Sequence, residues 1–174
     1  MRGELYRLSL NYFEIFNLPE QFDTNLKTLH ERFSEIQKSV HPDRFASATK
    51  LEQQQSLLKS TKINEAYQTL KQPLLRAKYL IELHHQKDAA PLPTDFLMQQ
   101  MEWEEELEDI SELTALIAFE KNIEMTAQEE TKRLAELIDH DKDWGMAQSC
   151  LGKLKFLTAL LNKASERLHV LSEN

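Results

Sequence analysis

Three short stretches carry residue types that could do chemistry. The first is His41-Pro42-Asp43-Arg44, an imidazole and a carboxylate on either side of a proline. Proline stiffens the turn, so both groups are displayed at low entropic cost, and a carboxylate displayed in this way suits a partner's arginine. Read alone, the same residues also make a helix stop, since Pro and Asp are ordinary turn residues. The second stretch is Asp139-His140-Asp141-Lys142-Asp143, with acids at positions one, three and five as at the start of a calcium loop. It lacks the remainder, because Trp144 stands where glycine is needed and Cys150 where a bidentate glutamate should be. The plainer expectation is a helix end, a loop and an N-cap at Asp143. His140-Asp141 with His84 or His85 could also begin a His-Asp metal phosphohydrolase, but no aspartate follows Asp143 to complete its ligands. The third is Cys150, the one cysteine, which excludes an intramolecular disulfide, a Cys-x-x-Cys redox pair and a multi-cysteine zinc site. No catalytic residue, metal ligand or cofactor is expected.

The elements around these residues read as helices. Leu, Gln, Glu and Lys are abundant and turn formers scarce, which favours helix. The three glycines, Gly3, Gly145 and Gly152, are too scattered for a phosphate loop or a dinucleotide fingerprint. Asn11–Leu18 is a short apolar segment ended by Pro19. Asp23 has the character of an N-cap, followed by Leu26, Leu29, Phe33, Ile36 and Val40 on one helix face. His41-Pro42 ends that helix. A second long helix fits Thr49–Gln72, with Leu51, Leu58, Ile63, Ala66, Tyr67 and Leu70 as its apolar members. Pro73 then opens a shorter one through Leu83. Two antiparallel helices joined by a loop that displays the His-Pro-Asp triplet follow from the pattern.

His84–Pro93 (HHQKDAAPLP) breaks helix and marks a boundary, giving parts 1–83 and 94–174 with a linker at 84–93. The second part reads as three helices: one near 94–110, one near 111–139 through Leu113, Leu116, Ile117, Ile123, Leu134, Leu137 and Ile138, and a last one after Asp143. In the last, Ala147, Cys150, Leu154, Leu157, Leu161, Ala164, Leu168 and Leu171 alternate by three and four, a seam for a helical bundle. Cys150 lies inside that seam as a small core residue. The fold class expected is all-α: a helical hairpin followed by a three-helix bundle.

Charge separates the same two parts. Residues 1–93 hold 13 basic and 11 acidic side chains, whereas 94–174 hold 8 and 18. So acidic a second part would repel nucleic acid, which is bound through its phosphates. No run of 18 apolar residues exists to span a membrane. The opening MRGELYRLSL lacks the apolar core of a signal peptide and is too short for a transit peptide, so a reducing, cytoplasmic setting is expected.

Helix geometry picks out a further surface. At about 100° per residue, Phe96, Gln100, Trp103, Leu107 and Ile110 fall within about 40° of a common direction, an inward stripe. Leu97, Met98 and Met101 point about 100–160° away, and Glu102, Glu105 and Asp109 share that outer side. Phe156 lies about 120° from the seam of the last helix. An outward apolar patch with an acidic border is expected, and two adaptable methionines favour its use in binding.

Longer words of sequence resemble a known family. Tyr12-Phe13-Glu14-Ile15-Phe16 with Leu18-Pro19, His41-Pro42-Asp43-Arg44-Phe45-Ala46, and Ile63-Asn64-Glu65-Ala66-Tyr67-Gln68-Thr69-Leu70 with Pro73, Arg76-Ala77 and Tyr79-Leu80 resemble the J-domain of DnaJ-type co-chaperones. Phe96-Leu97-Met98, Met101-Glu102, Glu105-Glu106-Leu107 and Lys153-Leu154-Lys155-Phe156-Leu157 narrow the resemblance to the HscB family of iron–sulfur assembly co-chaperones. Asn11 and Asn17 stand where that family often has Asp and Gly. The resemblance implies that His41, Pro42, Asp43 and Arg44, with Lys27 and Lys38 beside them, meet the DnaK-type chaperone HscA and stimulate its ATPase. It implies that Leu97, Met98, Met101, Glu102, Glu105, Asp109 and Phe156 hold the scaffold protein IscU. Glu31 and Glu35 intersperse the two lysines, so charge steering to the chaperone is expected to be weak. The alternative is a general J-protein for unfolded clients, although such proteins usually add glycine-rich or zinc-ligating segments, which this chain lacks.

Overall fold

A computed structural model describes residues 10–40, 48–84 and 91–172. Its elements among these residues are helical: α1 (Tyr12–Ile15), α2 (Leu26–Val40), α3 (Lys50–Lys71), α4 (Pro73–His84), α5 (Thr94–Asp109), α6 (Leu113–Glu136), a wide π-type turn (Leu137–Asp141) and α7 (Trp144–Ser172). The all-α expectation therefore holds. The chain divides into two compact units, Met1–Leu80 and Ile81–Asn174.

In the first unit α2 and α3 form the antiparallel hairpin, and α1 packs on α3. Its core is Phe13, Phe16, Phe22, Leu29, Ile63, Ala66, Tyr67, Leu70, Ala77 and Leu80. Asn11 and Asn17 each serve an end of α1. Asn11 caps α1: its Oδ1 accepts the Glu14 N–H at 2.9 Å while the Glu14 carboxylate accepts the Asn11 N–H at 2.8 Å. Asn17 adopts φ 51°, a left-handed conformation that asparagine tolerates better than most residues. Tyr79 ties α4 back to α1, stacking on Tyr12 at 4.3 Å between ring centroids, with its hydroxyl accepting the Tyr12 N–H at 2.9 Å.

Two details of this unit differ from the sequence reading. The cap of α2 is Asn25, whose Oδ1 accepts the Thr28 N–H at 3.0 Å, and not Asp23. In α3 the inward stripe is Ser56, Ser60, Ile63, Ala66, Tyr67 and Leu70, while Leu51 and Leu58 are exposed. The 22-residue α3 is longer than the 15-residue α2, and the end of α2 lies opposite Ser56, so Leu51 projects beyond it.

In the second unit α6 and α7 pack along their length and α5 lies on α7. Leu107, Leu116, Phe119, Ile123, Leu157, Leu160 and Ala164 form one buried cluster; Leu134, Leu137, Ile138, Ala147, Cys150, Leu151 and Leu154 continue the core. The seam of α7 is broader than the strict alternation, since Leu151 and Leu160 are also buried, and Leu161 and Leu168 only partly so. Phe119 is a core residue that the sequence reading did not single out, and Leu113 and Ile117 are exposed. The acidic stretch occupies the π-type turn, with Lys142 left-handed at φ 56°. Asp143 is the expected cap, its Oδ1 accepting the Met146 N–H at 3.0 Å. Among the described residues no three metal-ligating side chains converge, and no helix is long and apolar enough to cross a membrane.

Candidate partner-binding surfaces

His41, Pro42, Asp43 and Arg44 lie outside the described residues, but both flanks of their segment are among them. The last carbonyls of a helix lack partners within it, and here the Val40 carbonyl accepts the Ser56 hydroxyl at 2.8 Å. On the far side Thr49 caps α3 in a reciprocal box. Its hydroxyl accepts the Glu52 N–H at 3.3 Å and its own N–H donates to the Glu52 carboxylate at 2.9 Å. The Thr49 amide, and then its hydroxyl, hold the Glu52 carboxyl below the usual carboxylate range. Gln53 adds a 3.1 Å bond to the Ala48 carbonyl. The α2–α3 packing behind this mouth rests on Tyr67, which stacks on Phe33 at 4.0 Å and contacts His30 Nδ1 through its hydroxyl at 3.1 Å. Lys27 and Lys38 are exposed on α2, eleven residues apart and so about 20° apart around its axis. Glu31 and Glu35 are exposed with them.

α5 is held at three places. Just before its start, Leu92 packs over Gly152 of α7: a Cβ at position 152 would stand 2.9 Å from Leu92 Cδ2, so glycine makes the close approach possible. Along its middle, Phe96, Trp103 and Phe156 form an aromatic trio with centroids 6.0–6.4 Å apart. The Lys153 ammonium lies 5.2 Å from the Phe96 ring. At its end the Arg167 guanidinium donates to the Leu107 carbonyl and, at 2.6 Å, to the Ile110 carbonyl, capping the helix across the bundle. Leu107 is buried, and Trp103 and Ile110 partly so.

With that face fixed, the opposite one is set. Leu97, Met98 and Met101 are exposed at 44%, 61% and 63%. Leu97 and Met101 are four residues apart and Met98 and Met101 three, so the side chains are neighbours on the helix. Glu102, Glu105 and Asp109 are exposed beside them. Phe156 is half-buried in the aromatic trio, packed with Phe96 and Trp103 of the inward stripe rather than turned outward with Leu97, Met98 and Met101. α5 carries seven acidic residues and no basic one, six of them in its second half. Acids near a helix C-terminus oppose the macrodipole, each by roughly 0.3–1 kcal/mol at low salt, so helix stability does not account for them.

Cys150 belongs to the core. Its thiol donates to the Glu130 carboxylate at 3.1 Å and lies 3.2 Å from the Glu130 carbonyl; Lys153 completes the group at 3.4 Å from Glu130. Burial first, then the bond to Glu130, push the thiol up to about 12, so it stays protonated and unreactive at neutral pH.

Residues 92–165 match the family model described as the HSCB C-terminal oligomerisation domain. The co-chaperone protein HscB homolog of Photobacterium profundum is 38% identical over 160 residues, covering 87% of this chain and 92% of that one. The corresponding protein of Haemophilus influenzae is 38% identical over 166 residues, covering 91% and 94%. Among solved structures, the chaperone HscB from Vibrio cholerae is similar with a TM-score of 0.84 at 35% identity, over 93% of this chain and 99% of that one. The human co-chaperone protein HscB is similar with a TM-score of 0.84 at 27% identity, over 91% and 82%.

Proposed function

Since the chain belongs to the HscB family of co-chaperones, we propose that it holds the iron–sulfur scaffold protein IscU on the outward face of α5 and delivers it to the DnaK-type chaperone HscA. Residues 1–83 act as the J-domain, 84–93 as a linker and 94–174 as the client-holding bundle. His41, Pro42, Asp43 and Arg44 stimulate the ATPase of the chaperone, with Lys27 and Lys38 on the docking side. ATP belongs to the chaperone and the cluster to the scaffold, so this chain makes and breaks no bond itself. Its setting is the cytoplasm.

One observation carries the reading: α5 exposes Leu97, Met98 and Met101 together although its other face already fills the core. Burying a side chain of this size is worth roughly 1.5–3 kcal/mol, so a partner that covers all three gains a useful anchor. The acids along the same helix call for basic groups on that partner and would act mainly on encounter rate.

The test is a pull-down with the full chain and two variants. The parent should retain IscU and HscA together. The Leu97→Ala/Met101→Ala variant should lose IscU and keep HscA, and His41→Gln should do the reverse. Recovery of a broad set of unfolded proteins instead of IscU would point to a general J-protein.

A further inference from the structure

The four methionines among the described residues are all exposed: Met98 and Met101 on α5, Met125 at 54% on α6 and Met146 at 45% on α7. The described core is built from Leu, Ile, Phe, Ala and Tyr, with Cys150 as its sulfur atom. Such a distribution keeps the described thioether sulfurs out of the core. We propose that Met98 and Met101 are an oxidation-sensitive switch on the client-holding face of α5, turned off by peroxide-class oxidants while the chain stays folded. The inference rests on the docking reading above and adds its regulation.

The step balances without any cofactor. A thioether lone pair attacks one peroxide oxygen, the O–O bond breaks, an S–O bond forms and water leaves; the sulfur is oxidised by two electrons and the peroxide is reduced. The product is a polar sulfoxide, which thiol-dependent reductases return to the thioether. On open surface the change costs little. Beneath a partner it leaves a strong acceptor without water, and a buried polar group without a hydrogen-bond partner opposes binding. Each sulfoxide at position 98 or 101 is therefore expected to weaken client binding roughly tenfold, 1.4 kcal/mol being a factor of ten.

Three features confine the effect to this face. Met98 and Met101 share the apolar patch with Leu97, whereas Met125 and Met146 lie on other helices. The helix beneath is held by Leu92, the aromatic trio and Arg167, none of which contains sulfur. The cysteine that would otherwise compete for oxidant is buried, protonated and bonded to Glu130.

The full chain is treated with hydrogen peroxide, sulfoxides are mapped by peptide mass spectrometry, and IscU binding is titrated before and after. Met98→Leu/Met101→Leu and Met125→Leu/Met146→Leu variants are treated alongside, each compared with its own untreated form so that any change in starting affinity drops out. The switch predicts about a tenfold or larger loss for the parent and for Met125→Leu/Met146→Leu, and no further loss for Met98→Leu/Met101→Leu. Helicity and the urea midpoint should be unchanged, and methionine sulfoxide reductase should restore binding. Failure of sulfoxide to form at Met98 and Met101, or a loss that persists in Met98→Leu/Met101→Leu, overturns the proposal. So does complete oxidation with binding unchanged. In that case untreated Met101→Ala separates the readings: weaker binding leaves the docking face standing, and normal binding removes it too.

Discussion

The flanks of residues 41–47 and the outward face of α5 are built in opposite ways. The first is a short interval whose two ends are pinned by hydrogen bonds, Ser56 to Val40 on one side and the Thr49–Glu52 box on the other. The second is a continuous strip of side chains on one rigid helix, held from behind by packing. A few polar groups offered from a fixed frame make a contact that works or fails as a unit. A strip of Leu and Met makes a contact whose energy is spread over several anchors. In our reading the difference matches the tasks: one surface triggers an event in the chaperone, and the other holds a client long enough for delivery.

The largest effect should come from the first surface. His41→Gln is expected to reduce stimulation of the chaperone ATPase to the unstimulated rate, with circular dichroism and IscU affinity unchanged. A variant that also lost IscU would erase the contrast between the two surfaces.

Next comes the buried side of α5. Leu107→Ala should destabilise the chain by about 2–5 kcal/mol in urea unfolding, since the side chain is 5% exposed and its cluster cannot fully collapse around the hole. Its IscU affinity, measured on folded protein, should stay near that of the parent. Phe156→Ala sharpens the comparison because the half-buried ring belongs to the trio that holds α5, while its exposed part is open to a partner. It should lose stability and affinity together, each by about 1–2 kcal/mol, less than full burial would imply.

The smallest effect belongs to the border. Replacing Glu102, Glu105 and Asp109 by their amides should slow association and flatten its salt dependence, with little change in dissociation rate. Stopped-flow binding at two ionic strengths reads this directly.

The sequence made the helices and the facing of α5 legible because both depend on spacing alone. At 3.6 residues per turn, Phe96, Trp103 and Leu107 must lie opposite Met98 and Met101. Contacts across long separations left no such trace. Arg167 reaches carbonyls 57 and 60 residues away, and nothing in a guanidinium's sequence neighbourhood announces that. Leu51 and Leu58 fit a helix face by composition, yet the inward stripe runs through Ser56 and Ser60. The end of α2 meets α3 there, and a serine can both allow that approach and bond its carbonyl. The half-burial of Phe156 left no trace for a related reason: an angle measured on α7 alone cannot show that Phe96 and Trp103 of α5 reach round to meet it. The triplet at 41–43 was found by its residue types and their company, and its geometry lies outside the described residues.

The central claim is that the exposed side of α5 is the client-holding surface, and the measurement closest to it is calorimetric titration of IscU into Leu97→Ala and Met101→Ala, with urea unfolding of the same samples. Both residues are well exposed, so truncation removes little packing. The account predicts affinity lower by more than about 1 kcal/mol for each, at an unfolding midpoint within error of the parent. Normal binding by both variants would contradict it, and so would unfolding as easy as that of Leu107→Ala.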